Sequence, residues 1–363
     1  MRINGHSHLL PNPEQIPDFM KENEIFWIDE DRRHMLQKGW KRPVTDSSFF
    51  LEEKLEWMDR NRIDHAVILN LSQLYGNGLR IDDMKKVLRF QNDFNADIQR
   101  DHGDRFTCGF VVHAGFVQSA VWEIERCVNE LGLKVLCLPT HYMDSIGVWR
   151  TIFEKETEPI LECANDLGLA VEVHPYDGEK FIKLENISWR FHLVWMLAQC
   201  ADAYHFYTLN GYHERFPNIR TCFAHGGQLA QISLGRRIQG FDGRPDLFEG
   251  KMHPRSAVKH PNIYFDTLVH DVDSFDLMVK RSGVDQIFVG LDDPYPLGEM
   301  ESEPQSSYPG KLLDLCLERG LINKAQHTAM WSKNVLNWLG EDLGNDVKKR
   351  VQNSSIQART ASE

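Results

Sequence analysis

Short apolar runs recur along this chain with stretches of helical period between most of them, and that alternation limits the possible folds more than any other feature. The runs span Arg2 to His8, His65 to Leu71, Phe106 to Val112, Lys134 to Leu138, Ala170 to His174, Ile219 to His225, Asn262 to Thr267 and Gln286 to Asp292. Rich in Val, Ile and Phe, they read as strands covered on both faces, as in a parallel sheet whose crossovers are helices. Leu51, Leu55 and Met58 share one helical face ahead of the second run. Ala120, Ile124, Cys127 and Leu131 share another ahead of the fourth, closed by Gly132. Eight such alternations predict an α/β fold, a (β/α)8 barrel, with a doubly wound sheet of fewer strands as the alternative.

Two regions depart from the alternation. About forty residues between the first run and the helix near Leu51, positions 10–50, carry Phe26, Trp27 and Trp40 among prolines and charges, too long for a plain barrel loop. They read as an insertion after the first strand that caps the barrel mouth. Residues 341–363 are polar, with a Lys348-Lys349-Arg350 cluster and a Ser-, Thr- and Gln-rich finish, and read as a peripheral helix followed by a loose tail. Residues 1–340, insertion included, then form the barrel domain.

A formal charge of −12 offers no basic face to nucleic acid or anionic lipid, although local arginines can still hold a small anion. No uncharged apolar run approaches the roughly 18 residues of a membrane span, and the opening MRINGHSH lacks the apolar core of a signal peptide. Seven cysteines stand singly, mostly within apolar segments and without a CxxC, which suits reduced core thiols in a cytoplasm.

The chemistry concentrates where the runs end. His6 and His8, two apart on a strand, project to the same side, so both imidazoles can enter a barrel lumen near its carboxyl end, where barrel active sites sit. His174 ends the fifth run in VEVHP, His225 the sixth in CFAHGG, and Asp292 the eighth in FVGLDDP. Each alone reads as a satisfied buried polar group; together they read as a site. His6, His8, His174 and Asp292 make a donor set suited to Zn²⁺ or a neighbouring divalent ion, which lowers the pKa of a bound water to about 7. His225, followed by two glycines that permit a tight turn, is the candidate to accept the water's proton, orient the hydroxide or polarise the substrate. Asp293 faces the other side of the strand and is the weaker ligand candidate.

These residues carry a resemblance. The opening GHSH, the VHP, the stretch from FPNIRTCFAHGG through LGRRIQGFDGRPDLF, then FDTLVHD and VGLDDPYPLGE resemble the aminocarboxymuconate-semialdehyde decarboxylase family, non-hydrolytic members of the amidohydrolase superfamily. The match spans nearly the whole barrel and is densest from about Phe216 to Met300. It implies one zinc held by His6, His8, His174 and Asp292, with His225 as the catalytic histidine. It also implies that Arg42, in WKRPV, grips a substrate carboxylate, and that Arg236 enters the site from a neighbouring subunit, so that activity needs a homodimer. A guanidinium fork suits a carboxylate by itself. The pattern breaks after His174, where Tyr176, His192 and Leu197-Ala198-Gln199 replace family residues of the pocket wall, so wall and substrate are expected to differ. His192 and His205 read as new polar contacts or as helix surface or satisfied core, and Trp189, Trp195, Tyr204 and Tyr207 as packing, with stacking of one of them on a conjugated substrate as the alternative.

The expected activity is non-oxidative decarboxylation of 2-amino-3-carboxymuconate 6-semialdehyde, or of a close unsaturated carboxylate from aromatic catabolism, with a zinc-activated water. Three rivals stand beside it: a hydrolase using the same ion on a lactone or amide, a resorcylate-type decarboxylase or a hydratase on the same scaffold, and a non-catalytic protein that has lost its metal.

Overall fold

The structure, a computed structural model, describes residues 1–176, 187–302 and 306–361. Eight strands form a parallel barrel: β1 (Ile3–Ser7), β2 (His65–Ile68), β3 (Phe106–Val111), β4 (Val135–Pro139), β5 (Ala170–His174), β6 (Arg220–Phe223), β7 (Ile263–Asp266) and β8 (Ile287–Phe288). Each lies within one of the eight apolar runs or extends one residue beyond it. All pair with their sequence neighbours. Closure between β8 and β1 runs through Gly5 N to Val289 O at 2.7 Å, Leu291 N to His6 O at 3.1 Å and His8 N to Asp293 O at 2.9 Å. The doubly wound alternative is excluded.

Helices cover the barrel, and the two faces read from the sequence are real. Leu51–Arg60 buries Trp57 and Met58, while Val117–Asn129 buries Ala120, Ile124 and Cys127 and ends before Gly132, whose φ of +72° only glycine adopts readily. Under the barrel, Trp338 is wholly buried and its indole N–H donates to Arg220 O at 3.1 Å, at the entry to β6. Around it Ile3, Val67, Val135, Ala170, Cys222 and Phe288 fill the lower lumen. The carboxyl ends of the strands are thereby left as the open mouth.

Both irregular regions carry more structure than their composition announces. The insertion holds a helix, Asp18–Glu22, and a three-stranded antiparallel sheet, Trp27–Ile28, His34–Gln37 and Trp40–Pro43, turning at Gly39 with φ +69°. Its own small core of Met20, Phe26, Met35 and Phe49 is continuous with Leu71, Leu74 and Tyr295 at the mouth. The terminal segment is helical over Glu341–Ala361, and residues 362–363 lie outside the described residues. The reason for the helix is a stripe at helical spacing, Leu343, Val347 and Val351, packed into the same cluster as Trp338 beneath the barrel. No helix among the described residues is long and apolar enough to cross a membrane.

Candidate metal centre

The strand ends deliver the expected side chains to one point. Ligand atoms of His6, His174, His225 and Asp292 all lie within 4.8 Å of one another. His8 joins them, its Nε2 lying 3.0 Å from Asp292 Oδ1 and 3.2 Å from His6 Nε2. Asp292 also lies 3.7 Å from His6 Nε2 and 3.8 Å from His225 Nε2. Donors bonded at about 2.1 Å to one tetrahedral ion stand roughly 3.4 Å apart, so these separations suit a single cation.

The hydrogen bonds behind the rings fix which nitrogen faces inward. His6 Nδ1 meets Asp266 Oδ2 at 2.8 Å, His8 Nδ1 meets Leu69 O at 3.0 Å and His174 Nδ1 meets Pro175 O at 2.7 Å. Carbonyl and carboxylate oxygens only accept, so each Nδ1 carries a proton and each Nε2 is the nitrogen turned toward the centre. His174 Nε2 and His225 Nε2 are buried without a hydrogen-bond partner in the structure. Converging imidazole nitrogens, two of them unsatisfied and beside a carboxylate, fit a divalent cation once deprotonated.

The electrostatics describe the same point. Burial opposes charge on His6, but its hydrogen bond to Asp266 and the field of Asp292 push its pKa up to about 9. His174 is driven well below the ordinary imidazole range by burial and then by His225, His6 and His8. Burial would raise Asp292, yet His8, His6 and His225 hold it well below the ordinary carboxylate range. Two residues deeper on β5 than His174, Glu172 has neither carboxylate oxygen hydrogen-bonded, and burial lifts it to about 8.

Above the cluster opens a cavity of about 290 Å³, with Leu71, Met196, Leu268 and Leu297 among its apolar walls and Arg42 among its polar ones. Arg42 sits on the third strand of the insertion sheet, donates to His192 Nε2, and lies 5.7 Å from the Tyr295 ring. Of the altered segment, His192 and Leu197 line this cavity, and so does Trp189. Tyr176 does not: it is buried in a separate cluster with Tyr75 and Met84. Gln199 holds it there, accepting from Tyr176 N at 3.0 Å and donating to Tyr176 O at 2.8 Å, so both are corrected from pocket wall to framework. His205 packs near Phe206 and Phe248 outside the cavity, and Tyr204 and Tyr207 are core. Arg236, exposed on the helix Leu234–Gly243, does not line its own chain's cavity.

Three contributors escaped the sequence reading. Asp266 ends β7 as His174 ends β5; besides His6 it accepts from His225 N at 3.0 Å and Gly226 N at 2.7 Å, setting the turn that carries His225. Its signal was a carboxylate closing an apolar run. Tyr295 and His270, both lining the cavity, lie beyond the strands where no periodicity marks them.

A family model described as amidohydrolase matches residues 3–308. The chain is 26% identical to the 2-amino-3-carboxymuconate-6-semialdehyde decarboxylase of Dictyostelium discoideum over 354 residues, 94% of this chain and 92% of that one. It is also 26% identical to the protein of the same name from Caenorhabditis elegans, with 83% of this chain and 87% of that one aligned. Among solved structures it resembles a 5-carboxyvanillate decarboxylase from Novosphingobium aromaticivorans with bound manganese, at a TM-score of 0.74 and 16% identity, covering 94% of this chain and 97% of that one.

Proposed function

Since the chain belongs to the amidohydrolase family, we propose that it is a metal-dependent carboxy-lyase that removes CO2 without oxidation from 2-amino-3-carboxymuconate 6-semialdehyde or a closely related unsaturated carboxylate. The observation that carries the reading is the convergence of four histidines and Asp292 beneath a cavity with, among the described residues, one arginine in its wall. His6, His8, His174 and Asp292 would hold the ion, and a mainly nitrogen donor set favours zinc. When bound, such an ion supplies a Lewis acid and a water acidified to near neutral pH.

The remaining steps belong to this chain's residues. Arg42 offers two parallel N–H groups to a substrate carboxylate and so orients the molecule over the cluster. His225, whose pKa burial lowers, is neutral at pH 7 and takes a proton at Nε2. As the bond to the departing carboxylate breaks, its electron pair passes into the conjugated semialdehyde, and His225 delivers the proton it has taken from water to the carbon that lost CO2. The apolar wall keeps bulk water from competing. Arg236 would complete the site of a second copy in a homodimer, gripping another carboxylate.

Metal analysis of protein purified without chelator, followed by reaction with freshly generated semialdehyde, tests the reading through absorbance loss matched to CO2 release. Stoichiometric metal with CO2 supports it. Turnover of a ring carboxylic acid alone moves the substrate to the aromatic decarboxylases, and a metal-free chain removes the proposed chemistry.

A further inference from the structure

The seam between the His-x-His strand and the Asp292 turn contains a buried charge that neither touches the cavity nor donates to the centre. Lys54, on the helix Leu51–Arg60, is wholly buried. Its ammonium donates to Ser7 Oγ at 2.7 Å and to His8 O at 3.2 Å and pairs with Asp293 Oδ2. Asp293, equally buried, accepts from Asn4 Nδ2 at 2.6 Å and from Ser7 Oγ at 3.2 Å. Asn4 Oδ1 then accepts from His6 N at 3.1 Å and from Leu291 N at 3.0 Å. Every member of this network therefore bonds to a ligand residue or to one beside it.

A buried ion pair is weak evidence of stability, and its best-attested use is to fix one arrangement among several. An arrangement that needs fixing is present. Asp292 has φ +48°, in the left-handed region that a side chain disfavours. From that turn Asp292 reaches the histidines while Asp293, its neighbour, reaches Lys54.

We propose that Lys54 is a positioning residue of the metal centre: bonded to Ser7, His8 and Asp293, it sets the spacing between the histidine pair on β1 and Asp292 beyond β8. This rests on the metal-centre reading above. The test titrates metal-free protein with zinc against a chromophoric chelator and records thermal unfolding of the same metal-free samples. Lys54→Met/Asp293→Asn removes both charges together, so neither is left buried alone, and Ser7→Ala removes one acceptor with the pair intact. Loss of a bond that orients ligands typically costs 10–100-fold in metal affinity. The double variant is expected to bind zinc about 10–100-fold more weakly, and Ser7→Ala a few-fold, with unfolding of the metal-free proteins little changed. Wild-type zinc affinity in the folded double variant, or in Ser7→Ala should the double variant not fold, overturns the role. So does a variant that loses metal-free stability while keeping its affinity. Wild-type protein that binds no zinc overturns the metal centre itself and this role with it.

Discussion

His225 sits close enough to the other donors to be counted with them, yet its backbone differs from that of the other three histidines. It has φ +56° and is followed by Gly226 and Gly227, both in the left-handed region. An added Cβ at Gly226 would stand 2.2 Å from Val269, so the turn that presents this imidazole needs glycine there. Asp266 secures the backbone of the turn, whereas His6, His8 and His174 are each fixed by the ring itself. A residue aimed by its backbone keeps a freer ring, as a proton carrier requires. His225→Asn should therefore lower kcat by about 10²–10⁴-fold with one ion per chain retained, while His8→Asn should lose the ion; metal content and kcat measured on the same preparations decide. Loss of the ion from His225→Asn would make it a ligand. The five strand-end residues were legible because parity on a strand and position at its carboxyl end are both written in sequence. Lys54 was not, since LEEKLEWMD reads as an amphipathic helix whose lysine belongs to solvent, although Lys54 lies three residues from Leu51 on the inward face. Its partner Asp293 is distant in sequence and no local pattern joins them.

Among the elements, the strands were readable because a strand buried on both faces leaves a continuous apolar run, and each of the eight runs matches its strand, one of them with a residue over. The insertion sheet was not, because strands of two to four residues are shorter than any period can register. Between strands, His65 ties the start of β2 to the entry of β3: Nδ1–H donates to Asp104 O at 3.1 Å, and Nε2 meets Thr107 Oγ1 at 2.9 Å. Burial pushes its pKa down to about 4. An unfolded histidine titrates near 6.5, so below that pH the unfolded chain binds a proton that the folded chain refuses until about 4. The contribution of His65 to stability is thus constant above pH 6.5 and declines as the pH falls from there toward 4. Between pH 7 and 4.5 it should cost wild type about 2 kcal/mol more than His65→Asn. Urea unfolding of the metal-free proteins at both pH values measures it, and equal losses in the two would remove His65 from the account.

For the whole molecule, one chain supplies the candidate ion site and, among the described residues, a single arginine in the cavity wall, whereas a substrate bearing two carboxylates calls for two guanidinium groups. The second cation proposed, Arg236, is exposed and outside its own chain's cavity, on a helix that follows the exposed apolar residue Ile232 at 64% accessibility. An isologous pairing of two chains would bury that face and exchange the two arginines symmetrically. The idea has a consequence that a surface arginine would not share. Arg236→Ala and His225→Asn homodimers should each be inactive, the first because both sites lack the partner's guanidinium, the second because both lack the proton carrier. In a mixed dimer, one site takes His225 from the Arg236→Ala chain and Arg236 from the His225→Asn chain, so it is whole, and the other carries both defects. Random reassociation of equal amounts makes half the dimers mixed, each with one working site of two, so the mixture should regain about a quarter of wild-type activity. Assays before and after co-refolding the two variants read this directly. A mixture that stays as inactive as its components, with exchange of chains demonstrated by mass, would return Arg236 to the surface and leave Arg42 to hold the substrate alone.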